Sequence, residues 1–347
     1  MAELKLRFQS HHLPLAQTFT IAYSSRTHTP ISFVQLQWGN HVGYGEAAMP
    51  PYLGESAQTA ESFYSSLDFS WVTDPSDLEK VLGYVQSHRL GNPSAKAAID
   101  IALHDLHAKR LGIPVHQLFG LNPANAPQTS YTIGIQPLEE VHTLLPNTDP
   151  FGLIKVKLGG GHDRQMIDLI RSYTDKPISV DVNQGWTEKE KALEEIYWLK
   201  ERGIVYVEQP MSKESTMDME WLSQHSPLPT IADESVQRLT DLFELKNYFH
   251  GVNIKLMKCT GIREGYLMAK IAKSLGLKVM IGCMTESSCG IAAATQLAPL
   301  ADWVDLDGHF LLANDPFEGL SFYEGVVQLS QLNGLGVFPK HLIWDDQ

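Results

Sequence analysis

Three carboxylates recur at the ends of successive apolar runs in the second half of the chain. Asp181, Glu208 and Asp233 each close one such run. Carboxylates gathered at one edge of a sheet repel one another and raise one another's pKa, and a hard divalent cation relieves that repulsion. All-oxygen ligands favour Mg²⁺, with Mn²⁺ as an alternative, whereas zinc would want His or Cys. The competing interpretation is a metal-free cluster neutralised by Lys155 and Lys157.

Two lysines are candidates for proton transfer. Lys157 and Lys255 end the second and sixth of eight apolar runs, which would place them on opposite walls if the eight runs close into a barrel. A solvated lysine has a pKa of about 10.4, and we expect Lys155, a nearby cation and partial burial to lower it. With a base on each face, an α-proton can leave one side and return on the other through an enediolate, which is epimerisation or racemisation. Lys258 is a rival to Lys255, but it lies past the predicted strand end.

The eighth run ends in a second acidic pair, Asp305 and Asp307. Residues two apart on a strand point to the same face, so the two carboxylates can act together. They would bind a substrate ammonium group, and the alternative is a solvated strand end or a helix cap.

The elements that must position these residues alternate along the chain. Amphipathic helical patterns separate the runs, and the polar landmarks recur every 22 to 28 residues. This pattern predicts a parallel (β/α) barrel, although a doubly wound open sheet would look similar locally. No strong helix follows the eighth run. The eight runs cover residues 130–135, 152–158, 177–183, 203–210, 229–235, 251–258, 277–283 and 301–307.

The composition bounds the class of protein. The chain has 347 residues, 43% of them hydrophobic and 19% charged, which excludes a disordered chain or a coiled coil. A net charge of −13 argues against a nucleic-acid partner. No apolar stretch reaches the roughly 18 residues of a membrane helix, and the first residues lack an apolar signal core. Three cysteines favour the reducing cytoplasm over a disulfide framework.

Motifs across almost the whole chain resemble the enolase superfamily, in its muconate-lactonising-enzyme-like subgroup. They are KVK (155–157), DVN (181–183), VEQP (207–210), ADES (232–235) and NIK (253–255), with GYGEAAMPPYLGES (43–56) and the junction segment 97–120. The resemblance implies a mixed α/β fold, a (β/α)7β modified TIM barrel with an α+β capping domain built from both ends of the chain. We therefore expect a capping domain over residues 1–125, the barrel over 126–316 and a returning tail over 317–347.

The resemblance also implies roles for individual residues. The three carboxylates would bind Mg²⁺, and Lys157 and Lys255 would be the acid/base pair. DLDG (305–308) is similar to the dipeptide epimerases, in which the aspartate pair binds the α-amino group. FTIAYSSR (19–26) resembles the specificity loop of the L-Ala-D/L-Glu epimerases. The further substrate contacts implied are Arg26, facing an acidic side chain, with Thr132, Lys155, Cys283 and Thr285.

The leading hypothesis is a cytoplasmic Mg²⁺-dependent isomerase that inverts the second residue of a dipeptide, L-Ala-D/L-Glu first, in the recycling of cell-wall peptides. Epimerisation of hydrophobic, cationic or D-Ala-D-Ala dipeptides uses the same catalytic residues. An o-succinylbenzoate synthase or cycloisomerase reaction would leave the Asp305 and Asp307 pair without an ammonium partner. A catalytically silent binding protein would not need both lysines and all three carboxylates. The expected partners are a dipeptide substrate, in a chain that can form a homo-oligomer, with neither nucleic acid nor membrane.

Overall fold

Three long strands form an antiparallel sheet at the start of the chain, in a computed structural model that describes residues 3–21, 24–340 and 343–344. A bulge between Pro14 and Phe19 shifts the register of the first pair, and beyond it Phe19 lies opposite Arg26. Ala22 and Tyr23, which belong to the predicted specificity loop, lie outside the described residues. The strands are β1 (Lys5–Ile21), β2 (Ser24–Trp38) and β3 (His41–Ala48).

Helices follow in the described residues, and the longest of them packs on one face of this sheet. The longest has a proline in its first turn and ends at Gly112, whose φ of +70° is the left-handed conformation that closes a helix. It packs so closely on β3 that a Cβ at Gly45 would lie 1.9 Å from the Ala98 carbonyl oxygen. The helices are α1 (Ala57–Ser65), α2 (Leu78–His88), α3 (Pro93–Leu111) and α4 (Val115–Leu118).

Eight parallel strands form the second sheet, and each lies within one of the eight predicted runs. Their order in the sheet is their order in the chain, and a bridge between Thr129 and Val304 brings the first strand to the last. The barrel is therefore confirmed over an open doubly wound sheet. The strands are β4 (Ser130–Ile133), β5 (Leu153–Lys157), β6 (Ile178–Asp181), β7 (Ile204–Glu208), β8 (Thr230–Ala232), β9 (Gly251–Lys255), β10 (Lys278–Gly282) and β11 (Trp303–Asp305).

A helix follows each of the first seven barrel strands, whereas the eighth is followed by a short 3-10 turn, Gly308–Leu311. This is the expected (β/α)7β arrangement. None of the helices in the described part of the chain has the length and apolarity needed to span a bilayer. The barrel helices are α5 (Leu138–Leu144), α6 (Asp163–Tyr173), α7 (Lys189–Lys200), α8 (Thr216–His225), α9 (Leu242–Leu245), α10 (Ile262–Ser274) and α11 (Ser288–Thr295).

The tail returns to the N-terminal sheet and its helices. Phe317 packs against Phe33 with ring centroids 5.3 Å apart, and the Leu335 N–H donates to Asp105 Oδ1 on α3 at 2.8 Å. The tail also contacts the barrel, because the Thr129 N–H donates to the Gly325 carbonyl at 2.7 Å. Its short strands are β12 (Phe317–Glu318), β13 (Phe322–Tyr323), β14 (Val326–Val327) and β15 (Phe338–Pro339).

Candidate active site

A cavity of about 260 Å³ opens at the carboxyl ends of the barrel strands, where the N-terminal sheet and its loops cover the barrel. Strand ends supply its charged wall, as expected for a barrel enzyme. Ten of the twelve site residues predicted from the sequence line this cavity. They are Arg26, Thr132, Lys155, Lys157, Asp233, Lys255, Cys283, Thr285, Asp305 and Asp307. Asp181 and Glu208, the remaining two, are fully buried beside it.

The three predicted metal ligands come together. Asp181 and Glu208 are the last residues of β6 and β7, and Asp233 follows β8 by one residue. One carboxylate oxygen of each lies within 4.8 Å of the others, in a buried group that could hold a metal ion. The donor set is three carboxylates, which suits Mg²⁺ and leaves positions for water and substrate.

The mutual raising of carboxylate pKa values expected from the sequence is found at Glu208 but not at Asp181. Burial and the Asp181 carboxylate raise the pKa of Glu208 to about 7. Burial also acts to raise the pKa of Asp181, but Lys157 and Lys155 outweigh it and the pKa is lowered. Buried ammonium groups, which the argument from the carboxylates alone omits, account for the difference.

The KxK pair at the end of β5 points into this acidic group. Lys155 Nζ lies 2.7 Å from Glu208 Oε2 and 3.3 Å from Asp181 Oδ2, and it donates to Asp305 Oδ2 at 2.7 Å. Lys157 Nζ donates to Asp181 Oδ2 at 2.5 Å. Burial would lower the pKa of Lys155, but its carboxylate partners, Asp305 first, raise it well above the usual value. Lys155 is therefore a fixed cation that joins two groups of carboxylates.

Lys255 ends β9, four strands from Lys157, so the two amines stand on opposite sides of the barrel mouth. Its Nζ donates to Asp233 Oδ2 at 2.8 Å. Burial acts to lower the pKa of Lys255, but the Asp233 carboxylate outweighs burial and raises the pKa well above the usual value. The lowering expected from the sequence includes the charge of a bound cation, and it stays a prediction. Lys258, the rival, lies beyond the strand, does not line the cavity and is 1% exposed.

The aspartate pair at the end of β11, the eighth barrel strand, lies where the barrel closes. Asp305 Oδ1 accepts the Ser130 hydroxyl at 2.6 Å, and Asp307 Oδ2 accepts the Thr132 N–H at 2.6 Å. Asp305 is the last residue of β11, whereas Asp307 lies in the turn that follows. Burial and the Asp305 charge raise the pKa of Asp307 to about 7. Both side chains line the cavity, from neighbouring positions on one wall.

The β1–β2 hairpin brings Arg26 to the same cavity. Arg26 Nη2 donates to the Thr285 hydroxyl at 2.6 Å, and its guanidinium carbon lies 6.0 Å from the centroid of the Phe19 ring. Phe19 is its cross-strand partner, so the register of the hairpin sets this contact. The guanidinium thus lies between the N-terminal sheet and the barrel loop after β10.

Several cavity residues escaped the sequence analysis. Phe19 lies in the predicted specificity loop but was assigned no role, and Met284 and Leu311 lie in loops whose path the sequence pattern does not define. Asn253, which does not line the cavity but donates to Glu208, was missed as well, although it lies two residues before Lys255 and therefore on the same face of β9. The alternation of side chains along a strand was the signal that could have identified Asn253.

Protein families and solved structures resemble the chain over most of its length. Residues 4–120 match the family described as "Mandelate racemase / muconate lactonizing enzyme, N-terminal domain", and residues 139–341 match "Enolase C-terminal domain-like". An L-Ala-D/L-Glu epimerase of Bacteroides thetaiotaomicron is 48% identical over 96% of this chain and 88% of its own.

Two solved structures extend the comparison. The L-Ala-D/L-Glu epimerase of Bacillus subtilis, in a substrate-liganded complex, has a TM-score of 0.91 and 27% identity, over 98% of this chain and 99% of its own. A dipeptide epimerase of Cytophaga hutchinsonii, complexed with Mg and D-Ala-L-Val, has a TM-score of 0.91 and 26% identity, over 99% of this chain and 97% of its own. These two solved structures are named as epimerases, and they share the fold of this chain over nearly its whole length.

Proposed function

The chain belongs to the mandelate racemase and muconate lactonizing enzyme family of the enolase superfamily, and on that premise we propose that it is a Mg²⁺-dependent dipeptide epimerase acting on L-Ala-D/L-Glu. The observation that carries the proposal is a row of three charged groups: an amine at the cavity, an acidic triad of which Asp233 lines the cavity, and a second amine on the opposite side. Such a row suits removal and return of a proton on opposite faces of a carbon acid.

Asp181, Glu208 and Asp233 would hold the metal. Their donor set and spacing fit Mg²⁺, and Mn²⁺ prefers similar oxygen ligands. Bound there, the ion would supply positive charge that stabilises the enediolate form of the substrate carboxylate. Lys155 is buried against two of these ligands, Asp181 and Glu208, and its ammonium would neutralise part of the negative charge that the metal ion leaves.

Lys157 and Lys255 would move the proton. Because β5 and β9 lie four strands apart, an α-carbon above the triad would face one amine on each side. The neutral amine would take the proton from one face, and the ammonium on the other side would return one. The lysine that acts as base in one direction would act as acid in the other.

Asp305 and Asp307 would orient the substrate by its α-ammonium group. Lys155 and Ser130 already contact Asp305, so Asp307 would provide most of the new charge contact. An ammonium held on this wall places the peptide between the pair and the triad. The same feature argues against a cycloisomerase or o-succinylbenzoate synthase reaction, because those substrates carry no ammonium group.

Arg26 would select an acidic side chain at the second position. A guanidinium can bind a carboxylate through two parallel hydrogen bonds, and Phe19 and Thr285 fix its position at the cavity. The Bacteroides relative, at 48% identity, is named for the same substrate. Thr132 and Cys283 line the cavity beside the aspartate pair and would complete the contacts to the peptide.

Incubation with Mg²⁺ and L-Ala-L-Glu in D₂O tests the proposal. We expect deuterium at the glutamate α-carbon together with formation of L-Ala-D-Glu, measured by mass spectrometry and chiral chromatography. Lys157→Ala and Lys255→Ala should each lower epimerisation by at least about 10³-fold, since each removes one of the two proton carriers.

The control is Lys246→Ala, which changes an exposed lysine after α9 and should leave the rate unchanged. Exchange with retention in one lysine variant would support separate faces for the two amines. Deuterium-free, unchanged dipeptide with the intact protein would contradict the proposed reaction.

A further inference from the structure

Each carboxylate of the acidic triad has one oxygen engaged by a donor other than the three lysines that line the cavity. Asp181 Oδ1 accepts the Asn183 N–H at 2.9 Å. The second oxygen, Asp181 Oδ2, contacts the cavity lysines Lys155 and Lys157. We call the first kind the held oxygen and the second kind the cavity oxygen.

Asn253 engages the held oxygen of Glu208. Its Nδ2 donates to Glu208 Oε1 at 2.8 Å, while Glu208 Oε2 is the cavity oxygen, 2.7 Å from Lys155 Nζ. Asn253 is fully buried, and its Oδ1 has no hydrogen-bond partner among the described residues. A buried carbonyl oxygen without a hydrogen-bond partner costs free energy of folding. The stability of the barrel therefore does not explain why an asparagine side chain lies at this position. A Cβ at Gly282 would lie 2.4 Å from Asn253 Oδ1, so the neighbouring strand leaves room for the amide by lacking a side chain.

Lys258 engages the held oxygen of Asp233. Its Nζ donates to Asp233 Oδ1 at 2.6 Å, to the Asp233 carbonyl at 2.6 Å and to the Asn253 carbonyl at 3.0 Å. The cavity oxygen, Asp233 Oδ2, contacts Lys255. Three acceptors around one buried ammonium fix both the side chain and the main chain of Asp233.

We propose that Asn253 and Lys258 are positioning residues that make the acidic triad select Mg²⁺ over Ca²⁺. With one oxygen of each carboxylate engaged, the triad offers three single oxygens, which suits the six-coordinate geometry of Mg²⁺. Ca²⁺ takes six to eight oxygens and accepts both oxygens of one carboxylate. Releasing a held oxygen therefore improves the site for Ca²⁺ relative to Mg²⁺. The inference rests on the proposed function, because it takes the triad as the metal site.

The test measures the binding of MgCl₂ and CaCl₂ to the full chain by isothermal titration calorimetry, after removal of metal with a chelator. Asn253→Leu keeps the shape of the side chain and releases Glu208 Oε1, and Lys258→Met keeps its length and releases Asp233 Oδ1. We expect the ratio of the Mg²⁺ Kd to the Ca²⁺ Kd to rise about tenfold in each variant. Using the ratio removes the general effect of a lost charge, because a lost ammonium acts on both divalent ions alike.

Two controls separate positioning from charge and from packing. Lys155→Met removes an ammonium that contacts only cavity oxygens of the triad, so both affinities should change together and the ratio should stay constant. Ser179→Ala alters a buried side chain of the same barrel and should not move the ratio. Circular dichroism verifies folding, and because the two test variants act on different carboxylates, one folded variant suffices.

The outcomes distinguish this inference from the proposed function. Mg²⁺ binding by the unsubstituted chain with an unchanged ratio in a folded Asn253 or Lys258 variant overturns the positioning role and leaves the metal site intact. An unsubstituted chain that prefers Ca²⁺ also overturns it. An unsubstituted chain that binds no Mg²⁺ overturns the metal site itself, and the inference with it.

Discussion

At the scale of single residues, the site is organised by contacts between side chains that lie far apart in sequence. The strand-end residues Lys157, Asp181 and Glu208 could be predicted from alternation and strand order, because parallel strands end at one edge. The side chain that each of them contacts could not be predicted, because the sequence pattern shows which face of a strand a residue occupies but not which residue of another strand lies opposite. The raised pKa of Lys255 is such a case, since it depends on a 2.8 Å contact with Asp233.

Arg26 carries the first prediction at this scale. In Arg26→Ala, kcat/KM for L-Ala-L-Glu should fall about 10- to 100-fold, because hydrogen bonds to a charged group contribute about 1.5–3 kcal/mol. The value for L-Ala-L-Ala should change little, since that substrate has no side-chain carboxylate. Steady-state kinetics on the two dipeptides provide the comparison, and Arg26→Lys should show an intermediate loss. Equal losses on both substrates would separate Arg26 from specificity.

The second prediction at the scale of single residues concerns Asp307. Asp307→Asn retains an acceptor for the Thr132 N–H but removes the charge that would bind the substrate ammonium. KM for L-Ala-L-Glu should rise at least about tenfold with a smaller change in kcat, since a charge-assisted contact is lost on binding. Asp302→Asn is the matched control, because Asp302 lies just before β11, at its other end, and contacts Lys278. An unchanged KM in a folded Asp307 variant would rule out the ammonium contact.

At the scale of elements, backbone features determine where the strand-end side chains lie. The chain adopts positive φ at Asn183 (+46°) and Gln209 (+35°), which follow the first two carboxylates of the triad. Gln209 Oε1 in turn accepts the Asp233 N–H at 2.9 Å, so the loop after β7 holds the main chain of the loop after β8 in place. The eight runs could be predicted as strands because their apolar residues are continuous. These loop conformations could not, because non-glycine residues with positive φ depend on surrounding contacts rather than on local preference.

Close packing between β3 and α3 gives a prediction about stability. Gly45→Ala should destabilise the protein by about 1–3 kcal/mol, because the new Cβ would lie 1.9 Å from the Ala98 carbonyl oxygen and must push the strand from the helix. Gly83→Ala is the control: Gly83 is exposed on α2, and a Cβ there meets nothing within 4 Å. Alanine should stabilise that helix by about 0.5–1 kcal/mol. Chemical denaturation measures both, and a loss in the control as large as in Gly45→Ala would contradict the packing argument.

At the scale of the whole molecule, a buried carboxylate joins the N-terminal sheet to the barrel. Glu46 on β3 accepts the Ser287 and Gly290 N–H groups at 2.8 and 2.9 Å, at the start of α11. Glu286 lies beside it, with its Oε1 bonded to the Met284 N–H. Burial and the Glu286 charge raise the pKa of Glu46 well above its usual value, and burial raises that of Glu286 to about 7. The GYGE motif could be assigned to the capping region from sequence. The contact of Glu46 with the start of α11 could not be predicted, because it joins the N-terminal sheet to the barrel.

This junction predicts a pH dependence. A carboxyl whose pKa is raised by folding contributes stability below its unfolded value of about 4.5 and loses it as the pH rises through about 7. Glu286→Gln cannot ionise, so its melting temperature relative to the unsubstituted protein should rise by a few degrees between pH 5.5 and pH 8. Differential scanning calorimetry measures the difference. Glu244→Gln, at an exposed site on α9, serves as the control, and a pH-independent difference for Glu286→Gln would refute the assignment.

The side chains that close the barrel between β4 and β11 have a dynamic consequence. Two main-chain amides at this junction, those of Thr132 and Leu306, donate to side chains, Asp307 and Thr129, rather than to a neighbouring strand. Rotation of either acceptor would leave its amide without a hydrogen-bond partner, so these hydrogens should exchange with deuterated solvent faster than those inside the β9–β10 ladder. A ligand that immobilises Asp307 would slow the exchange at Thr132, and the backbone itself would then report occupancy of the cavity.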